Sequence, residues 1–124
     1  MKKTNLNSSS KGSSFGGEQY LYLTTRGRNT GLPREIEIWF TQRDGRFYVI
    51  AEYPTSNWLR NLQANAQAQV RVGGESFAVH ARLVDAECEL HDAVAELSRK
   101  KYGWGDGTIV ELNRELITEN RELI

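Results

Sequence analysis

The sequence predicts a small mainly-β (α+β) barrel with helical additions, and three observations carry that prediction. Five or six short runs are rich in aromatic and β-branched residues. Tight-turn signals, Asp44-Gly45 and Gly73-Gly74, join neighbouring runs. Only two stretches, 56–65 and 85–101, repeat apolar residues at helical spacing.

Residues 1–17 are polar and rich in Ser, Gly and Lys, with too little apolar content to pack, so they read as a flexible leader. Phe15 is the one residue there able to dock. Residues 18–25 place Tyr20, Tyr22 and Thr24 on one face and Leu21, Leu23 and Thr25 on the other, a strand covered on both faces or nearly so. The Gly, Asn and Pro content of 26–33 makes that stretch a loop. Residues 34–42 alternate, with Ile36, Ile38 and Phe40 opposite Glu35, Glu37, Trp39 and Thr41, as one half-buried strand. Asp44-Gly45 turns the chain into a returning strand, 46–52, which completes a three-stranded meander.

Ser56 opens a short helix whose apolar stripe is Trp58, Leu59 and Leu62, and Asn65 stops it. Strands 68–72 and 75–84 form a second hairpin around Gly73-Gly74. Asp85 is the expected cap of a helix running to about Lys101, with Leu90, Ala93, Val94 and Leu97 at i, i+3, i+4 and i+7. The glycine-rich stretch 102–107 is loop, and 108–112 is a final strand. The last twelve residues, 113–124, repeat Asn-Arg-Glu-Leu-Ile at seven-residue spacing, as expected of a helical tail packing on a partner subunit. The organisation is thus a leader (1–17), one domain (18–114) and a tail (115–124).

With 124 residues, the chain fits one domain. Its charges balance at 16 basic and 16 acidic residues, giving no global pull toward nucleic acid or an anionic membrane. A single cysteine, Cys88, excludes an intrachain disulfide. No apolar run reaches the length of a membrane span, and a reducing cytoplasm is the simplest setting. His80 and His91 do not fall in a Cys/His pattern of zinc-motif spacing, so no metal site is expected. No G-x-S-x-G run stands at a strand-to-helix turn, there is no convincing Cys/His nucleophile pair, and Cys88 reads as a passive helical residue. Without an acid–base set, chemistry carried by a cofactor is the economical alternative, since the protein then supplies orientation and dryness.

The loop at 26–34 is the strongest local candidate for a site. It combines Arg26, Arg28 and Arg34 with the Thr30 hydroxyl and the backbone freedom of Gly27 and Gly31, which suits an anionic ligand. It has neither dinucleotide-fingerprint nor Walker spacing. Trp39, Trp58 and Trp104 are candidates to line a flat cofactor or substrate, although helical spacing alone makes Trp58 a core residue first. Trp104 sits between glycines, and Tyr102 beside it is a candidate hydrogen-bond donor to a substrate.

The run Thr24-Thr25-Arg26-Gly27-Arg28-Asn29-Thr30-Gly31-Leu32-Pro33-Arg34 resembles the deazaflavin-dependent nitroreductase family pattern T-T-x-G-R-x-[S/T]-G-x-x-R. The same family continues with a D-G hairpin and a W-x-x-N-L-x-A-[N/D] helix, matched by Trp58-Leu59-Arg60-Asn61-Leu62-Gln63-Ala64-Asn65. A V-x-V strand follows, matched by Val70-Arg71-Val72. The resemblance covers about residues 20–112. It implies a split β-barrel related to pyridoxamine-phosphate oxidases and flavin reductases. It also implies a homodimer that binds coenzyme F-420 or, in some relatives, FMN.

By that resemblance the cofactor-binding residues are Arg26, Arg28, Asn29, Thr30, Arg34, Ile36, Ile38, Trp39 and Glu52, and Trp58, Tyr102 and Trp104 hold the substrate. No side chain is required as a base. The implied activity is hydride transfer from reduced F-420 to a quinone, nitro compound or other activated small-molecule acceptor. Two positions depart from the pattern. Asn29 stands where Lys is frequent, and Glu52 stands where phosphate is met and would repel it unless turned away. These keep open an FMN-dependent reductase of the same fold, or a non-catalytic flavin- or haem-binding module.

Overall fold

The computed structural model describes residues 15–115. The expected leader over 1–14 and the expected helical tail over 116–124 lie outside the described residues. Seven strands and two helices follow in order: β1 (Leu21–Arg26), β2 (Pro33–Ile38), β3 (Thr41–Arg43), β4 (Arg46–Ala51), α1 (Asn57–Ala64), β5 (Gln67–Val72), β6 (Glu75–Leu83), α2 (Glu89–Tyr102) and β7 (Thr108–Arg114). They form one antiparallel sheet in the order β2-β1-β5-β6-β7-β4-β3.

That order explains the barrel. The two edge strands, β2 and β3, are successive in the chain and separated only by Trp39 and Phe40. The sheet must therefore curl until its edges nearly meet, leaving a split between them. This corrects the expectation of one strand over 34–42 and of a three-stranded meander: β2 pairs with β1, whereas β3 pairs with β4 at the far edge. Phe40 is held at the break by long-range bonds. Its N–H donates to Tyr102 Oη at 3.0 Å, and its carbonyl accepts from Lys101 Nζ at 3.0 Å.

Side-chain alternation fills two cores. Phe47, Val49 and Ala51 of β4 face the barrel interior with Leu21, Leu23 and Leu112. Tyr48 and Ile50 face outward and are covered by α2 through Val94 and Ala95. The expectation for β1 holds in part: Leu21, Leu23 and Thr25 are buried, while Tyr22 and Thr24 are half-buried. Arg71 covers the Tyr22 ring at 4.2 Å. Phe15 docks in the core and lies against Gly73, where a Cβ would come within 2.8 Å of its ring.

Outside the barrel interior, Glu111 is 1 % exposed between three strands. It accepts from Tyr48 Oη at 2.8 Å, Arg82 Nε at 3.1 Å and Nη2 at 3.0 Å, and Asn113 Nδ2 at 3.0 Å. Burial pushes its carboxyl up, but the bonds from Tyr48, Asn113 and Arg82 outweigh burial and hold it below its usual value. Burial and the same carboxylate push the Tyr48 phenol up to about 12.

The helices depart from expectation in their caps. α2 starts at Glu89 with Cys88 as its N-cap. Asp85 instead closes a turn before it, its carboxylate accepting from Glu87 N at 2.9 Å. A left-handed Gly103, φ 83°, ends α2. Leu83, at the end of β6, is 43 % exposed. No described helix is long and apolar enough to cross a membrane.

Candidate functional site

The β1–β2 loop and α1 build one polar cleft. The loop is tied across its base: Gly27 N donates to the Leu32 carbonyl at 2.8 Å, and Gly31 N to the Gly27 carbonyl at 2.8 Å. Gly27 is required there, because a Cβ would approach Thr30 Oγ1 to 2.8 Å and the Leu32 carbonyl to 3.3 Å. Thr30 Oγ1 accepts from Leu32 N at 3.1 Å, and Arg26 Nη1 donates to the Gly31 carbonyl at 2.9 Å. Arg26 therefore shapes the loop from outside and is not among the residues that line the cleft.

Asn61 of α1 locks the loop to the helix. It is 4 % exposed, and its amide donates to Thr25 Oγ1 at 3.1 Å. Its carbonyl oxygen accepts from Arg28 N at 3.1 Å and from Arg28 Nη1 at 2.8 Å. Asn57 adds its backbone carbonyl, at 3.4 Å from Nη1, and its Oδ1, at 3.2 Å from Nη2. These bonds use three of the five guanidinium protons and none of the charge, since every partner is neutral.

The cleft encloses about 590 Å³. Arg28, Asn29, Thr30 and Arg34 bring donors to it, and Ile36 and Trp58 supply apolar wall. Among the described residues Arg34 has no acidic partner, whereas the cleft's one carboxylate, Glu35, is paired with Arg71 at 3.0 Å. Two uncompensated guanidinium groups, a hydroxyl and side-chain amides form a donor set that fits a phosphate or carboxylate.

A second hollow, about 450 Å³, lies along the same strand. Ile36 lines the cleft and Ile38 the hollow, two residues or about 7 Å further along β2. Tyr20, Trp39 and Trp104 supply aromatic surface to the hollow, Ile38 and Ile50 aliphatic surface, and Glu37 and Glu52 carboxylates. Trp39 is stacked on Tyr102, with ring centroids 4.3 Å apart and planes 7° from parallel, and meets Trp104 at 6.5 Å and 62°.

The expected site residues thus divide between two places. Arg28, Asn29, Thr30, Arg34, Ile36 and Trp58 meet in the cleft; Ile38, Trp39, Glu52 and Trp104 meet in the hollow. Trp58 does not join Tyr102 and Trp104 as expected. Glu52 lies with the tryptophans and away from the arginines, so its charge does not oppose an anion in the cleft. Tyr102 also departs from its expected part. Its hydroxyl accepts from Phe40 N and lies 2.8 Å from the carbonyls of Gln19 and Phe40, so its bonding is spent within the fold. Burial pushes that phenol up. Thr25, Asn57 and Asn61 were not expected in the cleft, nor Tyr20 and Glu37 in the hollow. Asn61 had a signal: a polar residue between Trp58 and Leu62 on the buried side of a short helix.

Comparison with known proteins agrees with this architecture. The chain aligns with an F420-H2 dependent reductase (FDR-A) at 18 % identity over 76 % of this chain and 92 % of that one, TM-score 0.62. It aligns with the haem storage protein HutZ of Vibrio cholerae at 21 % identity over 82 % and 85 %, TM-score 0.68. A Listeria innocua protein provisionally assigned as a pyridoxamine 5'-phosphate oxidase matches at 16 % identity over 82 % and 87 %, TM-score 0.62. These likenesses establish the split-barrel fold. The sequence profile of the F420H(2)-dependent quinone reductases matches residues 2–104. The chain belongs to the F420H(2)-dependent quinone reductase family.

Proposed function

We propose that this protein is an oxidoreductase that binds coenzyme F-420 along β2 and passes hydride to a small activated acceptor such as a quinone or nitro compound. The observation that carries the reading is the charge-unmatched pair Arg28 and Arg34 in a cleft that shares strand β2 with an aromatic hollow. The anionic tail of the cofactor suits the cleft, held by the two guanidinium groups, Thr30 and Asn29. Its flat ring suits the run from Ile36 to Trp39, with apolar side chains excluding water. When bound, the reduced deazaflavin supplies the hydride.

The chain's own residues bind and orient. Asn61 and Asn57 fix Arg28, Tyr102 fixes the plane of Trp39, and Trp104 bounds the acceptor's side of the hollow. No side chain is assigned as a proton donor or base. Among the described residues neither cavity is lined by His, Cys or Met, the commonest haem-iron ligands, which disfavours the haem-binding alternative; Tyr20 is the one ligand type the hollow offers. The reading includes a cytoplasmic homodimer. Among the described residues β2 pairs with β1 alone, and its outer edge leaves backbone groups for a second copy.

The test is turnover. Purified protein with reduced F-420 and a benzoquinone or nitroaromatic should reoxidise the cofactor in proportion to enzyme. Binding without reoxidation across several acceptors of both kinds would refute the enzymatic reading.

A further inference from the structure

We propose that the aromatic hollow selects flat, positively charged molecules, N-alkylated heteroaromatic cations being the type case. As the acceptor class of the enzyme this rests on the functional reading above; as a binding property it does not.

The geometry is that of an aromatic corner. Trp39 is 37 % exposed and presents the face not covered by Tyr102. Tyr102 cannot swing away, because its hydroxyl is tied to the backbone at Phe40 and Gln19. Trp104 stands at 62° to Trp39, and its carbonyl is anchored by Ser98 Oγ at 2.5 Å. Tyr20, 42 % exposed, adds a third ring. Rigid indole faces meeting at a steep angle attract cations through their ring quadrupoles, and Trp is the strongest such partner.

The charges agree with the rings. Glu37 and Glu52 line the hollow, and no Lys, Arg or His does. Glu37 accepts a bond from Tyr22 Oη at 2.9 Å through Oε2, and among the described residues Glu52 has no basic partner. The cations that line a cavity on this strand, Arg28 and Arg34, lie at its other end. The charged residues lining the two cavities are thus of opposite sign at the two ends of the strand, so a cofactor tail and an acceptor of opposite charge are sorted to different ends.

The experiment is isothermal calorimetry on the full chain without cofactor, at low ionic strength, with three probes of one size: N-methylquinolinium, quinoline and quinoline-4-carboxylate. The cation should bind saturably and about tenfold tighter than quinoline, with the carboxylate weakest. Glu52→Gln should cut the cation's advantage several-fold and leave quinoline binding and the urea midpoint unchanged. Trp39→Ala should abolish binding of the cation, while a native urea transition shows that the barrel persists. Equal binding of the three probes, binding of none, or a cation preference intact in both variants would overturn the proposal. An F-420 titration of the same preparation separates the two ideas. Cation selectivity without F-420 binding leaves the hollow standing and removes the cofactor reading; F-420 binding without cation selectivity does the reverse.

Discussion

Asn61 offers the sharpest test of how the cleft is built. Truncation to Ala removes three hydrogen bonds at a residue 4 % exposed, of 3.1, 3.1 and 2.8 Å. Two join neutral groups and are worth about 1 kcal/mol each; the third, from a guanidinium, is worth about 2 kcal/mol. Thr25, 2 % exposed, keeps a hydroxyl without its Asn61 partner, whereas the exposed Arg28 head recovers water and returns part of its share. The expected loss is therefore about 2–3 kcal/mol, or a drop in Tm of roughly 10 °C for a domain of this size. Urea unfolding followed by circular dichroism reads it directly. A loss below about 0.5 kcal/mol would refute the view that Asn61 ties the loop to α1. Asn61→Asp separates stability from binding. It keeps the Oδ1 acceptor for both Arg28 bonds but places a carboxylate on the guanidinium, so the fold should hold while affinity for an anionic ligand falls roughly tenfold.

Three further outcomes are expected. Arg34→Ala should weaken F-420 binding by about 1–3 kcal/mol with little change in unfolding midpoint, checked by fluorescence titration, and an unchanged affinity would remove Arg34 from the site. The buried Glu111 carboxyl lies below its unfolded value of 4.5, so the folded state binds its proton less readily than the unfolded chain. Its stabilisation is present above about pH 4.5 and is lost as pH falls toward and through the folded value, and Glu111→Gln should flatten that acid limb of urea stability against pH. Gly73→Ala should destabilise by about 1–2 kcal/mol, because φ is +56° and the new methyl would meet the Phe15 ring; a neutral result by thermal unfolding would remove Phe15 from the core.

Much of the fold was legible in local pattern. Alternation in 18–25 and 34–42 and the turn signals Asp44-Gly45 and Gly73-Gly74 carried the sheet, and Arg28 and Arg34 flagged the cleft. The break at Trp39-Phe40 was not legible, because alternation continues through it. Its cause is tertiary: Tyr102 and Lys101 bind Phe40 from 62 and 61 residues away. The start of α2 was misread because Asp85 has cap chemistry but uses it on a turn three residues early. The site was legible by residue type more than by grouping. Trp58, Tyr102 and Trp104 share aromatic character, yet α1 carries the first to the arginines and α2 leaves Tyr102 beneath Trp39. Glu52 drew attention as a charge opposed to phosphate; the barrel's curl sets it in the other cavity.

The most direct test of the central claim is a fluorescence titration of the purified full chain with coenzyme F-420 and, separately, with FMN, each repeated at raised ionic strength. Saturable F-420 binding at micromolar or tighter affinity, weakened by salt and stronger than FMN binding, is the expected result, since the unmatched arginines would then hold the anionic tail. Binding of FMN alone, or of neither, would contradict the assignment of β2 as a deazaflavin site.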